Sequence, residues 1–141
     1  MPAYSDSLTV DIHDVDSSGI CRGSALLRYI QSAAQRQLNE RGLSYDRLKE
    51  QKRAFLLSRI AAEFSEPVHA YEPLIASTFP CESRGFSFLR CYTLARPDGD
   101  VIGRAMGVFA LIDTESHALV RVNDFPLGLS ELPPLDLSLN A

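Results

Sequence analysis

Polar and apolar residues alternate loosely from Ala3 to Ile12, where Tyr4, Leu8, Val10 and Ile12 give part of the period-two pattern of a strand buried on one face. The pattern stops at His13. Asp14, Asp16, Ser17, Ser18 and Gly19 follow, side chains that bond their own backbone beside a glycine that tolerates positive φ, so a turn is predicted here. Between Ser24 and Arg41 the spacing changes to three and four: Leu26, Leu27, Ile30, Ala33, Ala34 and Leu38 share one helical face. Ser24 is the expected N-cap and Gly42 the expected stop, and small Ala33 and Ala34 allow close approach to another backbone. A short second helix is expected over Ser44 to Gln51, with Ser44 capping.

Strand periodicity then takes over. FLLSRIAAEF, LIASTFPCES, GFSFLRCYTLAR, DVIGRAMGVFALID and HALVRV are five strand-like segments, separated by SEPVHAYEP, SRG, PDGD and TESH. Pro97-Asp98-Gly99-Asp100 is the strongest hairpin turn among these breaks. One strand, one long helix, a short helix and a run of antiparallel strands imply an α+β layer structure with a sheet over one main helix. Residues 1–127 are read as one domain, and 128–141, with Pro133, Pro134 and alternating leucines, as an extended tail.

Composition narrows the functional classes. A chain of 141 residues, 45% hydrophobic and 23% charged, is long enough for one cored domain and too apolar for global disorder. A formal charge of −4, with no basic stripe, argues against nucleic acid and anionic lipid surfaces as partners. No stretch reaches the roughly 18 apolar residues of a membrane span, and the N-terminus lacks a basic segment followed by an apolar one. Cys21, Cys81 and Cys91 show neither a disulfide framework nor zinc spacing, so a cytoplasmic location is expected.

Asp14-Val15-Asp16-Ser17-Ser18-Gly19-Ile20, followed by a helix with Tyr29 and Gln31-Ser32-Ala33-Ala34, resembles the turn and helix of 4-hydroxybenzoyl-CoA-type thioesterases. The text from LLRYIQSAAQRQLNERG through LLSRIAAEF to GRAMGVFALID is similar to the first repeat of acyl-acyl-carrier-protein (acyl-ACP) thioesterases. Both belong to the hotdog superfamily, and the resemblance spans roughly residues 5 to 125. It implies a hotdog fold acting on an acyl-CoA or acyl-ACP thioester, with no cofactor, as a homodimer or homotetramer whose active sites lie between subunits. In the first family the second aspartate of DxDxxG is nucleophile or general base, which points to Asp16. In the second the catalytic residues lie in the other repeat, in a motif this chain lacks. Ile20 stands where many relatives have histidine.

Thioester hydrolysis needs a nucleophile or activated water and donors where the oxyanion develops. Asp16 fits the first role. By the resemblance, the Gly23 backbone N–H at the positive end of the helix fits the second. Gly19, Arg22, Ser24, Gln31 and Arg59 are the expected substrate contacts. Gln31 falls where other hotdog thioesterases carry a catalytic carboxylate, and as an amide it can hold a water or the thioester but cannot act as a base. Arg22 could meet a phosphate of the carrier. Arg59, with Glu63, could face a subunit interface.

The bland alternatives stand beside these roles: Asp14 and Asp16 shaping the turn, Cys21 a plain small residue, and His13, His69 and His117 structural. Phe55, Leu57, Phe86, Phe88, Phe109 and Leu111 are expected mainly in the core, with some lining an acyl tunnel. Arg84, Arg90 and Arg104 are expected to form a local basic patch. The competing functions are a non-catalytic acyl-binding or structural hotdog protein, and a polyketide-releasing thioesterase.

Overall fold

The computed structural model describes residues 4–124 except residue 82. Strand β1 (Tyr4–Thr9) leads into helix α1 (Gly23–Glu40) and the short α2 (Tyr45–Glu50). Strands β2 (Arg53–Phe64), β3 (Pro73–Pro80), β4 (Phe88–Ala95), β5 (Val101–Asp113) and β6 (Leu119–Val120) follow. All pairings are antiparallel, in the order β1-β3-β4-β5-β2, with β6 on β5. This is the expected α+β arrangement of one sheet and one long helix. The boundary at residue 127 and the tail of 128–141 lie outside the described residues.

The strand-to-helix connection departs from the expected limits for physical reasons. Strand β1 ends three residues before Ile12, because Asp11 Oδ1 accepts from His13 N–H (2.8 Å) and starts a 3-10 turn, which leaves Ile12 exposed. Helix α1 starts at Gly23, with Arg22 as N-cap and no side-chain cap, so Ser24 is inside the first turn and does not cap. At the other end Gly42 takes φ +74, and Leu43 N–H reaches Leu38 O at 2.8 Å, a closure that satisfies the last carbonyls. Ser44 caps α2 as expected, accepting from Arg47 N–H. The Pro97–Asp100 turn joins β4 to β5, with Asp100 N–H on Asp98 Oδ1.

The apolar face of α1 buries Leu26, Ile30, Ala33 and Ala34 against Leu74 and Ala76 of β3 and Tyr92 and Leu94 of β4. The small alanines let α1 lie close to the sheet, and burial of this face supplies most of the helix's stability. One position on that face is polar. Gln37 is buried where an apolar residue is the ordinary choice, because Arg90 of β4 reaches it. A second cluster of Phe88, Leu111 and Val120 holds the far end of the sheet, with Phe55 edge-on to Phe88 at 5.4 Å between ring centroids.

Three expectations fail on tertiary grounds. Cys81 and Cys91 form a disulfide between β3 and β4 (Cα–Cα 6.4 Å), so the cysteine argument for a reducing compartment does not stand. Phe86, stacked under Arg121 (4.8 Å), and Leu57 of β2 are both exposed, so neither is the core residue expected. Arg90 is buried between helix and sheet, so it forms no surface patch with exposed Arg84 and Arg104. Among the described residues no helix is long and apolar enough to cross a membrane.

Candidate active site

The turn before α1 is a small hairpin. Val15 and Cys21 bridge across it, Asp16 N–H bonds Ile20 O (2.8 Å), and Arg22 N–H bonds Asp14 O (2.9 Å). Gly19 supplies φ +80, a left-handed conformation that costs a glycine little. The hairpin is pinned from outside by the loop before β3, through Cys21 N–H on Val68 O (2.7 Å) and Ala70 N–H on Gly19 O (3.2 Å).

Its two aspartates have different tasks. Asp16 is exposed, and its Oδ1 accepts from Ser18 N–H (2.8 Å) and Ile20 N–H (3.1 Å), so one carboxylate oxygen organises the turn. Asp14 is turned onto α1. Its Oδ2 accepts from Tyr29 O–H (2.5 Å) and from Arg28 Nη2 (2.6 Å). Bonds from Tyr29 and Arg28 hold the Asp14 carboxyl below the usual carboxylate range. Burial, then the Asp14 hydrogen bond, pushes the Tyr29 phenol up to about 12, so it stays a donor at neutral pH. Tyr29 also accepts from Asp11 N–H (3.3 Å), so one phenol ties both ends of the connection to the helix.

The turn delivers the chain into an exposed helix start. A Cβ on Gly23 would meet nothing within 4 Å, and the first amides of a helix have no carbonyl of their own turn to bond. Ser24 is exposed beside it. Arg22 is exposed and donates from Nη1 to His13 O (3.3 Å), which ties it to the protein. Asp16, Gly19, Arg22, Gly23 and Ser24 thus share one end of α1. Burial pushes the Cys21 thiol up, which opposes thiolate formation and agrees with the plain reading of that residue.

A cavity of about 270 Å³ lies at the other end of α1, between that helix, α2 and the sheet. Leu38, Leu48, Phe55, Phe88 and Phe109 supply apolar wall, so several of the expected tunnel aromatics do line a pocket. Of the expected site residues, Gln31 alone reaches its wall, and none of residues 14–24 does. Eight residues of helix separate Gly23 from Gln31, about 12 Å at 1.5 Å per residue. Arg59 meets neither group: it is exposed on β2 beside a bulge at Ser58, whose Oγ donates to Val108 O. Among the described residues no cluster of His, Cys, Asp or Glu could hold a metal.

Asp14, Tyr29, Arg90 and Tyr92 have shifted pKa values, yet in the sequence Asp14 stands out only as a turn-former, Tyr29 only within the thioesterase-like helix and Arg90 only as surface charge. Tyr29 and Tyr92 look like ordinary aromatics in sequence, and a single arginine on a strand carries no signal of burial.

The sequence model of the acyl-ACP thioesterase N-terminal domain matches residues 2–125. Among solved structures, an acyl-ACP thioesterase from Bacteroides thetaiotaomicron superposes with a TM-score of 0.87 at 20% identity, covering 99% of this chain and 57% of that one. A putative oleoyl thioesterase from Lactobacillus plantarum gives 0.84 at 13% identity, with 99% and 57% covered. A 1,4-dihydroxy-2-naphthoyl-CoA thioesterase from Synechocystis gives 0.78 at 16% identity, with 86% and 90% covered. This chain therefore spans little more than half the length of the first two. No match is found among curated proteins. These superpositions fit the sheet and long helix described above to the hotdog fold, and the match over residues 2–125 places the chain in the acyl-ACP thioesterase N-terminal domain family.

Proposed function

We propose that this protein is an acyl thioesterase, hydrolysing an acyl group from coenzyme A or an acyl carrier protein. The observation that carries the reading is the end of α1, where an exposed carboxylate, Asp16, stands on the turn that leads into the exposed helix start at Gly23. In this reading Gly23 N–H holds the thioester carbonyl and stabilises the oxyanion, and Asp16 either attacks the carbonyl, expelling the carrier thiolate and leaving an acyl anhydride that water cleaves, or takes a proton from the water whose attack breaks the C–S bond and passes it to the departing thiolate. Asp14, fixed by Tyr29 and Arg28, positions the turn on the helix.

The acyl chain and the reacting carbonyl need separate places, and the cavity past Gln31 suits the chain. The 12 Å between that wall and Gly23 supports a working unit of at least two copies, in which the turn of one protomer meets the helix of its partner. Edge strand β2 exposes Leu56 and Leu57, apolar side chains suited to such an interface.

The rival reading, acyl binding without catalysis, is favoured by one observation: both amide bonds to Asp16 serve the turn. Hydrolysis of a small panel of acyl-CoA and acyl-ACP substrates separates the two. Turnover by the purified chain is expected, and none on any substrate would leave binding as the function. Light scattering after size exclusion is expected to report a dimer or larger, and a monomer alone would contradict the shared site.

A further inference from the structure

Arg90 is 6% exposed, and burial lowers its pKa, which marks an environment that penalises its charge. Among the described residues no carboxylate lies within ion-pair distance of it. Its Nη1 donates to Gln37 Oε1 (2.5 Å) and Thr78 Oγ1 (3.2 Å), both neutral groups. A guanidinium has five N–H donors, and no described residue accepts from Nε or Nη2. The side chain is on the wall of the 270 Å³ cavity.

Two residues along the same face of β4, Tyr92 also lines this cavity, and its hydroxyl is the one buried side-chain polar atom without a partner among the described residues. Arginine and phenol feel one another electrostatically. Buried polar groups are almost always satisfied, and a buried cation without an anion is costlier still. Here a cation with spare donors and a phenol with none of its capacity used share the wall of an otherwise apolar pocket. Gln37 and Thr78 hold one edge of the guanidinium, which fixes its plane. The other wall groups do not supply the missing charge: Arg53 is a cation already paired with Asp113 (2.6 Å), and Gln31 and Gln35 are neutral.

We infer that this cavity takes an alkyl chain ending in a carboxylate, with the carboxylate seated on Arg90 and Tyr92 and the chain against the phenylalanines and leucines. The carboxylate is either the far end of an ω-carboxyacyl substrate or the head of a released fatty acid. Both present the same chemistry to the site.

Because the chain-binding role rests on the proposed thioesterase activity, the test begins with ligands that cannot be hydrolysed. Calorimetric titration of the full chain with decanoate and with 1-decanol is expected to show decanoate at least tenfold tighter. Arg90→Met should remove that preference while keeping 1-decanol binding, and Tyr92→Phe, which deletes only a hydroxyl, should cut it at least threefold. Equal affinity in the wild type, failure of both ligands to bind, or a preference that survives both substitutions would overturn the inference. Tyr92→Phe decides the matter if Arg90→Met does not fold. A higher kcat/KM for ω-carboxydecanoyl-CoA than for decanoyl-CoA, lost in Arg90→Met, assigns the carboxylate to the substrate. No such difference, with decanoate binding intact, assigns it to the released acid. Absence of all hydrolysis leaves the binding result standing and removes only the thioesterase reading.

Discussion

Asp16 has a structural and a proposed chemical role on the same carboxylate, and two substitutions separate them. In Asp16→Asn the amide oxygen can still accept from Ser18 N–H and Ile20 N–H, now bonded at 2.8 and 3.1 Å, so the turn is kept. The negative charge is lost. Asp16→Ala removes both bonds as well. At about 0.5–1 kcal/mol for each exposed bond, alanine should cost about 1–2 kcal/mol of stability, and asparagine under about 0.5. Loss of a general base typically costs about 10²- to 10⁴-fold in rate, equal to about 3–5 kcal/mol on the barrier. Urea denaturation measures the first effect, and thioester hydrolysis followed by thiol release measures the second. The expected outcome is an asparagine variant as stable as the wild type yet at least a hundredfold slower, with alanine slow and less stable. Unchanged kcat/KM in asparagine, or activity that follows stability across both variants, would refute a chemical role and leave Asp16 as a turn-former.

Other consequences follow from packing and charge. A Cβ at Gly103 would stand 2.5 Å from Phe64 Cδ1, so Gly103→Ala should cost about 1–3 kcal/mol through displacement of that ring, read as a lowered denaturation midpoint. Phe88→Ala removes a ring that is 5% exposed and packed edge-on to Phe55, and should cost about 3–5 kcal/mol by the same measurement. The folded-state pKa of Asp14 lies below its ordinary value, so its pairing is fully present above the unfolded carboxylate pKa and is lost as pH falls through the lower, folded value. Asp14→Asn should therefore flatten the acid limb of melting temperature against pH below about pH 4, where an unchanged limb would contradict the assignment.

Local chemistry is strong in this chain, which is why much of the fold is legible in the sequence. The three-and-four spacing of Leu26, Ile30 and Ala33 marks α1 because a helix must bury one face, and Gly42 and Ser44 end and begin helices through backbone conformation and capping that operate within a few residues. Alternation marks the strands for the same reason. Helix starts are less legible: Ser24 has the right chemistry for a cap, but the hairpin bond from Arg22 N–H to Asp14 O sets the entry two residues earlier.

The candidate site divides along the same line. Asp16, Gly19 and Gly23 lie within eight residues of one another, so their turn could be read from the text and its geometry follows from local bonds. What joins Asp14 to Tyr29, Gln37 to Arg90, or Cys81 to Cys91 is the packing of elements 15, 53 and 10 residues apart in sequence, and no local pattern encodes it. Sequence alone determined that a glycine-bearing turn feeds a helix lying on an antiparallel sheet. Tertiary structure decided which polar groups lose water: Arg90 reads as a surface arginine until α1 lies over β4, and only that burial makes its charge a demand for a partner.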